Sequence, residues 1–142
     1  MRKLCVISAE SMMITKCEDL LLARMDVRLI IQVLVNLVDN AIKYTPSGST
    51  ITIRALKKNE KAWISVEDNG PGISDEIKPH IFEMFFTGGN NIADSQRSLG
   101  LGLALCQSIV EAHGGKMELE DNDPHGCIFS FALPLSEVIL NE

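Results

Sequence analysis

The sequence predicts one domain that combines helices with antiparallel strands, an α/β (α+β) fold, and three observations lead to this class. The chain has 142 residues, 46% of them hydrophobic, which is enough to bury one sizeable core. Residues 50–55 and 62–68 alternate between apolar and polar types and predict a β-hairpin around Asn59. Residues 32–44 and 104–113 show helical periodicity, so we expect two helices beside the hairpin.

The ends of the chain are less informative than its centre. Residues 12–15 and 20–23 indicate two short strands at a sheet edge, separated by a polar turn at 16–19. Near the other end, residues 116–120 and 127–133 alternate and predict two further strands. The expected division of the single domain 1–142 is a core at about 20–134, an edge segment at 1–19 and a tail at 135–142.

Composition excludes several classes of function. The net charge of −6 argues against a nucleic-acid module, whose electrostatic footprint is basic. Cys5, Cys17, Cys106 and Cys127 are widely spaced without a Cys-x-x-Cys pair, so we expect buried reduced thiols rather than disulfides or zinc. No apolar run approaches the ~20 residues that cross a bilayer, and no signal-peptide pattern opens the chain. A cytoplasmic location is therefore expected.

The helix at 32–44 carries its polar residues in one narrow stripe, while apolar residues cover most of its circumference. Asp26 is its expected N-cap, and the run Thr-Pro-Ser-Gly at 45–48 marks its end. The pattern predicts a helix that is packed on most sides and lines a polar cavity. The alternative is a buried hydrogen-bond network satisfied within the protein. The stripe consists of Gln32, Asn36, Asp39, Asn40 and Lys43.

An aspartate is expected to point inward at the end of the second hairpin strand. Ile64, Val66 and Asp68 share one face by the period of two, and a carboxylate in that row needs a hydrogen-bond donor. The turn Asn-Gly-Pro-Gly at 69–72 lets a flat ligand approach the backbone. Two interpretations stay open: Asp68 binds a ligand, or it braces the turn through local hydrogen bonds.

The region after this turn is expected to change from core to a mobile loop. A short helical piece begins at Ser74 as N-cap and is interrupted by Pro79, and aromatic residues near 81–86 are expected in the core. The polar, glycine-rich stretch 87–97 has few apolar anchors and indicates either a simple surface loop or a lid, and its position before a phosphate-type motif favours the lid.

Glycines at the start of the second helix favour an anion site. Gly100 and Gly102 precede the helix, whose exposed amides and positive dipole end suit a phosphate, although glycines there also permit close packing. The helix ends at Gly114 and Gly115. Its expected buried face consists of Leu101, Leu105, Ile109 and Ala112.

These signals together predict a nucleotide site. An inward aspartate can accept a hydrogen bond from an exocyclic amine, an Asn oxygen can ligate a hard cation, and a lysine with helix amides can hold phosphates. The chain contains neither the P-loop motif nor Gly-x-Gly-x-x-Gly after a strand.

The motifs resemble those of the ATP-binding catalytic domain of sensor histidine kinases, in the superfamily shared with DNA gyrase B, Hsp90 and MutL. The chain is also similar to the KdpD-type potassium and turgor sensors within that family. The resemblance covers about residues 26–133. It is carried by 36–45 (the N box), 68–73 (the first glycine box), 81–85 (the F box), 99–103 (the second glycine box) and His-Gly-Gly at 113–115.

The resemblance implies a Bergerat-type, two-layer α/β sandwich with a mixed, mainly antiparallel sheet and helices on one face. It implies ATP and Mg²⁺ as cofactors, Asn40 as the metal ligand, and Asn36 and Lys43 as catalytic residues on the phosphate side. Asp68 would accept the adenine amine. The implied nucleotide contacts are Tyr44 as a wall of the adenine site, Gly70, Gly72, Ile73 and Phe82 around the base, and Arg97, Leu99, Gly100, Leu101 and Gly102 around the phosphates.

Two departures and one absence qualify this resemblance. Thr87 and Ser98 stand where the family often has Arg and Gly, with Arg97 a possible substitute for the missing phosphate contact. No His-Glu or His-Asp acceptor motif occurs, and His80, His113 and His125 are interpreted as structural. The implied acceptor is a histidine on separate dimerisation helices, with a response regulator downstream. The implied parent protein is dimeric and compatible with membrane attachment.

Three other functions share these motifs. In the gyrase and Hsp90 hydrolases a Glu activates water one turn before the metal-binding Asn, and here that position is Asn36, which cannot act as a base. An anti-sigma-factor serine kinase would use the same nucleotide site on a serine substrate. A degenerate domain that only switches on nucleotide binding is the third alternative.

Overall fold

A computed structural model describes residues 2–8, 11–17, 25–83 and 102–135, with side chains from residue 25 onward. Six strands form one sheet in the order β1-β2-β3-β4-β6-β5. Every neighbouring pair is antiparallel except β2 and β3, which are parallel. The strands are β1 Arg2–Ser8, β2 Ser11–Cys17, β3 Ser49–Lys58, β4 Lys61–Asp68, β5 Met117–Asp121 and β6 Cys127–Pro134.

In the described ranges, the helices α1 (Val27–Tyr44) and α2 (Gly102–Ala112) cover one face of this sheet. The core lies between the layers and includes Leu37 of α1, Val110 of α2, Ile51 of β3 and Phe131 of β6, each at most 1% exposed. The expected mixed, mainly antiparallel two-layer sandwich is confirmed. None of the helices in the described ranges is long and apolar enough to cross a membrane.

The N-terminal strands differ from the sequence prediction. The strand expected at 12–15 is part of β2, but Lys16 and Cys17 continue that strand instead of forming a turn. β1 was not predicted, and it occupies the sheet edge, with β2 one position further in. A longer pairing partner explains the longer strand, because β2 runs alongside β3 from Ser49 to Ala55. The strand predicted at 20–23 lies outside the described residues.

The central hairpin is confirmed. β3 and β4 pair from Ile51 opposite Asp68 to Lys58 opposite Lys61, and the chain reverses at Asn59 and Glu60. Both turn residues have positive φ, 55° and 63°, as a two-residue primed turn requires. This register carries Asp68 to the end of β4 next to the first core residue of β3.

Helix α1 begins and ends as predicted. The Asp26 Oδ1 accepts hydrogen bonds from the backbone N–H groups of Arg28 (3.1 Å) and Leu29 (3.4 Å), which confirms it as the N-cap. The expectation that this helix is packed on most sides holds only toward its C-terminal end, where Leu34, Val38 and Ile42 are partly buried against the core beside the fully buried stripe. That stripe is Ile30, Val33, Leu37 and Ala41, whereas Val27, Ile31 and Val35 are 58%, 53% and 52% exposed.

Helix α2 begins at Gly102 and buries a different face from the one predicted. Cys106, Ile109 and Val110 point into the core, while Leu105 is 41% exposed and Ala112 is exposed. Of the predicted face only Ile109 is buried, because the core contacts a face rotated toward positions i, i+3 and i+4 from Cys106. Leu101 lies outside the described residues.

The end of α2 is confirmed at the glycine pair. Gly114 has a φ of 81°, its N–H donates to the Glu111 carbonyl, and the Gly115 N–H donates to the Val110 carbonyl, both at 3.0 Å. This is a Schellman end, which needs a residue with positive φ. It turns the chain directly into β5.

The segment after β4 forms a 3₁₀ turn, Lys78–His80, rather than the helical piece expected from Ser74. Ser74 contributes its backbone carbonyl, which accepts from the N–H groups of Ile77 (3.0 Å) and Lys78 (3.1 Å), so its predicted role as a helix N-cap was wrong. Pro79 lies within the turn, at a position where its missing N–H costs no hydrogen bond.

Candidate functional site

The site is built around the buried carboxylate of Asp68, which is 8% exposed at the end of β4. Its Oδ1 accepts hydrogen bonds from the backbone N–H of Gly70 (2.9 Å) and of Cys127 (3.2 Å). The structure therefore confirms that Asp68 braces the turn through local hydrogen bonds. Among the described residues no donor contacts Oδ2, so one carboxylate oxygen keeps its hydrogen-bonding capacity.

The C-terminal end of α1 meets the turn that follows Asp68. A Cβ added at Gly70 would lie 2.6 Å from the Thr45 Cγ2 and 3.2 Å from the Asp68 Oδ1, so only glycine fits between them. Thr45 is itself fixed, because its hydroxyl donates to the Ala41 carbonyl at 2.6 Å. Sequence reasoning read Thr45 only as the end of a helix and missed this contact.

Three residues of the polar stripe on α1 are half-buried, namely Asn36, Asn40 and Lys43. Gln32 and Asp39 are exposed, so the predicted stripe was too wide on this side. The spacing i, i+4 and i+7 puts the half-buried three on one side of the helix, toward its C-terminal end.

These three residues differ in their partners. Asn36 hydrogen-bonds the thiol of Cys106 on α2, although burial dominates there and raises the pKa of that thiol to about 11. The Lys43 Nζ lies 5.7 Å from the centre of the Tyr44 ring, a cation–π distance. In the described structure no hydrogen bond reaches the Asn40 carboxamide. Among the described residues, no self-satisfied hydrogen-bond network includes the Asn40 side chain.

The remaining base-side residues lie between the turn and the core. Gly72 has a φ of 85°, and a Cβ there would be 3.4 Å from the Gly126 carbonyl oxygen. Ile73 and Phe82 are half-buried against the core. The Phe82 ring packs edge-to-face on Phe129 at 6.0 Å, so the structure gives it a packing role, and its contact with a nucleotide stays a prediction.

Of the residues predicted around the phosphates near the start of α2, the structure describes only Gly102, the first residue of that helix. A Cβ added there would meet no atom within 4 Å, so packing against the described residues does not explain this glycine. The other residues predicted on this side lie outside the described residues: Arg97, Leu99, Gly100 and Leu101, together with Thr87, Ser98 and the loop 87–97.

Sequence reasoning missed the turn between β5 and β6, which lies against the Asp68 turn. The Asn122 Nδ2 donates to the Asp68 carbonyl oxygen at 2.8 Å, and the His125 Nδ1 donates to the Gly70 carbonyl oxygen at 2.9 Å. No motif marks these residues in the sequence. These residues reach the Asp68 turn because β4 pairs with β6 in the structure, which brings the end of β4 next to the start of β6.

The described histidines have structural contacts, as expected. His113 joins the two helices, because its Nε2 accepts from the Asp26 N–H at 2.9 Å and its Nδ1 donates to the Ile109 carbonyl at 2.7 Å. His80 pairs with Glu83. The cysteine expectation also holds for Cys106 and Cys127, which are free and buried.

The described part of the chain contains no cluster of three or more His, Cys, Asp or Glu side chains that would hold a metal ion. A divalent cation bridging phosphates does not need such a cluster, because Mg²⁺ keeps several waters and takes few protein ligands. An unpartnered carboxamide such as that of Asn40 fits this requirement.

The fold is a two-layer sandwich, and its buried aspartate lies beside the end of a helix that carries two asparagine side chains. These features are those of an ATPase-type nucleotide-binding domain. Residues 25–137 match the family of histidine kinase-, DNA gyrase B- and HSP90-like ATPases, and the chain belongs to this family. Its relatives then place it near one branch, the sensor histidine kinases. The chain is 50% identical over 117 residues to the sensor protein KdpD of Clostridium acetobutylicum, a match that covers 82% of this chain and 13% of that protein.

Solved structures of histidine kinases support the same assignment. The nucleotide-free catalytic domain of the histidine kinase ThkA superposes with a TM-score of 0.73 at 37% identity, over 84% of this chain and 76% of that one. Full-length ShkA in complex with AMPPNP superposes with a TM-score of 0.71 at 26% identity, over 89% of this chain and 27% of that one. ThkA in complex with the response regulator protein TrrA superposes with a TM-score of 0.65 at 36% identity, over 87% of this chain and 34% of that one. The resemblance stated from the motifs, including that to KdpD-type sensors, is confirmed.

Proposed function

We propose that this chain is the ATP-binding catalytic domain of a sensor protein-histidine kinase and donates the γ-phosphoryl group of Mg-ATP to a histidine on a separate dimerisation domain. The chain spans about an eighth of its KdpD relative, so activity of the whole protein is part of this proposal. The observation that carries it is Asp68, a buried carboxylate with one oxygen held by two backbone amides and the other oxygen without a described donor.

At the base end, Asp68 would accept a hydrogen bond from the adenine amine through Oδ2. Gly70 and Gly72 let the flat base approach the backbone, since a side chain at Gly70 would collide with Thr45. Tyr44, at the end of α1 and 41% exposed, would form a wall of the base site, with Ile73 and Phe82 behind the turn. This end would orient the nucleotide and give selectivity for adenine.

At the phosphate end, Asn40 would ligate Mg²⁺ through its side-chain oxygen, and Lys43 would contact a phosphate. Mg²⁺, when bound, supplies neutralisation of the charge that develops during phosphoryl transfer. Asn36 would assist on the phosphate side. The amides near Gly100 and Gly102, with Leu99, Leu101 and Arg97, would complete the cradle at the start of α2.

The acceptor histidine would be supplied by the dimerisation helices of the parent protein, and the phosphoryl group would pass to a response regulator. The complex of ThkA with TrrA supports this type of partner. His80 and His113 are engaged within the domain, which supports an acceptor outside it.

A hydrolase of the gyrase or Hsp90 type is disfavoured at Asn36. A carboxamide cannot take a proton from water at neutral pH, and Asn36 already hydrogen-bonds Cys106. The relatives reported above are histidine kinases, which supports neither a serine kinase nor a degenerate switch domain.

Calorimetry with the purified chain tests the binding half of this proposal. We expect Mg-ATP to bind more tightly than Mg-GTP, because GTP presents a carbonyl where adenine presents its amine. Phosphate release should stay at the background rate. Equal affinity for both nucleotides, or steady phosphate release, would contradict the proposal.

A further inference from the structure

The turn between β5 and β6, residues 122–126, packs directly against the turn that contains Asp68. Two of its side chains donate to backbone carbonyl oxygens across more than fifty residues of sequence: Asn122 to Asp68 at 2.8 Å and His125 to Gly70 at 2.9 Å. Neither side chain has a place in the site assigned above. Their contacts hold two residues of the proposed base pocket, Asp68 and Gly70.

The two turns also touch through their backbones. A Cβ added at Gly126 would lie 2.0 Å from the Asp68 carbonyl oxygen, so the two turns approach too closely for a residue with a side chain. The next residue, Cys127, donates its N–H to the Asp68 Oδ1 at 3.2 Å. The β5–β6 turn thus contacts Asp68 at its carbonyl oxygen, through Asn122, and at one side-chain oxygen, through Cys127.

This arrangement restricts the direction in which the other oxygen can point. Asn122 holds the carbonyl oxygen of Asp68, and the two amides hold Oδ1. Among the described residues, Oδ2 is then the oxygen that is left without a donor. A hydrogen bond to an amine depends on this direction, because its strength falls steeply when the angle deviates.

We propose that Asn122 and His125 are positioning residues, which hold the Asp68 turn so that Oδ2 meets the amino group of adenine. Both act through backbone carbonyls and would not contact the nucleotide. The proposal rests on the proposed function, since it needs Asp68 to bind the base.

The test compares ATP with purine riboside triphosphate, which is ATP without the 6-amino group. Binding of each to the 142-residue chain is measured by calorimetry for the wild type, Asn122→Ala and His125→Ala. Loss of one hydrogen bond that orients the turn is expected to weaken ATP binding by about threefold to tenfold. Affinity for the analogue should stay within about twofold, because the analogue makes no hydrogen bond to Oδ2.

Three further variants sharpen this result. His125→Asn keeps an N–H donor close to the position of Nδ1 and should restore most of the ATP affinity. Glu120→Ala changes an exposed residue just before the turn and should bind both nucleotides like the wild type. In an Asp68→Asn background, Asn122→Ala should cause no further loss of ATP affinity, since its effect passes through Asp68.

The outcomes separate the two proposals. Equal weakening for ATP and the analogue would mean that the turn is merely structural, and unchanged ATP affinity in both alanine variants would mean that it positions nothing; either overturns this inference. A wild type that binds the two nucleotides equally would instead contradict the role of Asp68 itself. Thermal melts identify any variant that is unfolded. If His125→Ala is unfolded, the ATP affinity of His125→Asn relative to the wild type decides whether the turn positions Asp68.

Discussion

The two ends of the proposed nucleotide site are built in opposite ways. At the base end, the Asp68 turn is held by five hydrogen bonds. Four come from Gly70, Asn122, His125 and Cys127, and the Asn69 side chain accepts the fifth from the Thr50 N–H. At the phosphate end, Asn40 has no hydrogen-bond partner among the described residues, and Lys43 rests over the Tyr44 ring. Among the described residues, the protein thus organises the base end itself, whereas the proposed metal ligand Asn40 has no partner and would be organised by Mg-ATP.

The largest expected effect of a substitution is at the phosphate end. Asn40→Ala should remove the metal ligand and weaken Mg²⁺-dependent ATP binding on the order of 100-fold. Because Asn40 has no described partner, the fold should be unaffected, and the thermal midpoint should match the wild type. Calorimetry with and without Mg²⁺ measures the first quantity. A large loss of stability with unchanged Mg²⁺ dependence would assign Asn40 to the core instead.

A similar or smaller effect on ATP binding is expected at the base end. Asp68→Asn replaces the charged acceptor and should cost about 1.5–3 kcal/mol of ATP binding. Unlike Asn40→Ala, it should also lower stability, because Oδ1 accepts from two buried amides. Titration of ATP and urea denaturation on the same variant check the two effects. Full ATP affinity in the variant would rule out Asp68 as the base acceptor.

Sequence patterns located the side chains that line the proposed site better than the contacts that support them. Asp68 and the stripe on α1 were visible because strand and helix periods assign each residue to a face. Asn122 and His125 were not, since a turn has no period and their partners are backbone atoms more than fifty residues away. The same limit explains the wrong face of α2, where Leu105 and Cys106 are both apolar and only the packing decides between them.

The link between the helices provides a comparison outside the site. His113→Ala removes the hydrogen bonds to the Asp26 N–H and the Ile109 carbonyl, and it should lower the free energy of unfolding by about 1 kcal/mol. Affinity for ATP should not change. Urea denaturation and calorimetry check this, and a loss of ATP affinity without destabilisation would extend the site to this end of α1.

The smallest effect concerns a surface charge cluster beside the base end. The Lys78 Nζ lies 2.7 Å from carboxylate oxygens of both Asp121 and Asp75, and the hydrogen bonds that it donates to them raise its pKa. Lys78 in turn lowers the pKa of Asp75. A lowered carboxyl pKa stabilises the fold above the ordinary pKa and loses that contribution as pH falls through the lowered value. The raised pKa of Lys78 stabilises below its ordinary value and loses that contribution as pH rises through the raised one.

Asp75→Asn should therefore make stability slightly less dependent on pH on the acidic side. The difference should shrink in high salt, because the pair is exposed. Urea denaturation between neutral and acidic pH, at two salt concentrations, measures it. An acid dependence identical to that of the wild type at low salt would show that the cluster has no energetic role.

The central claim is that this domain positions the donor phosphoryl group and that the acceptor histidine lies elsewhere. Alignment of both reactants contributes about 7–11 kcal/mol to such a transfer, so the domain alone should be nearly inactive. The direct measurement uses radiolabelled ATP with the domain, with and without the parent protein's dimerisation helices, and a quench without acid because phosphohistidine is acid-labile. We predict slow labelling of the helices that rises with the concentration of either fragment and is lost in Asn40→Ala. Rapid labelling of the domain alone, or brisk phosphate release, would contradict the account.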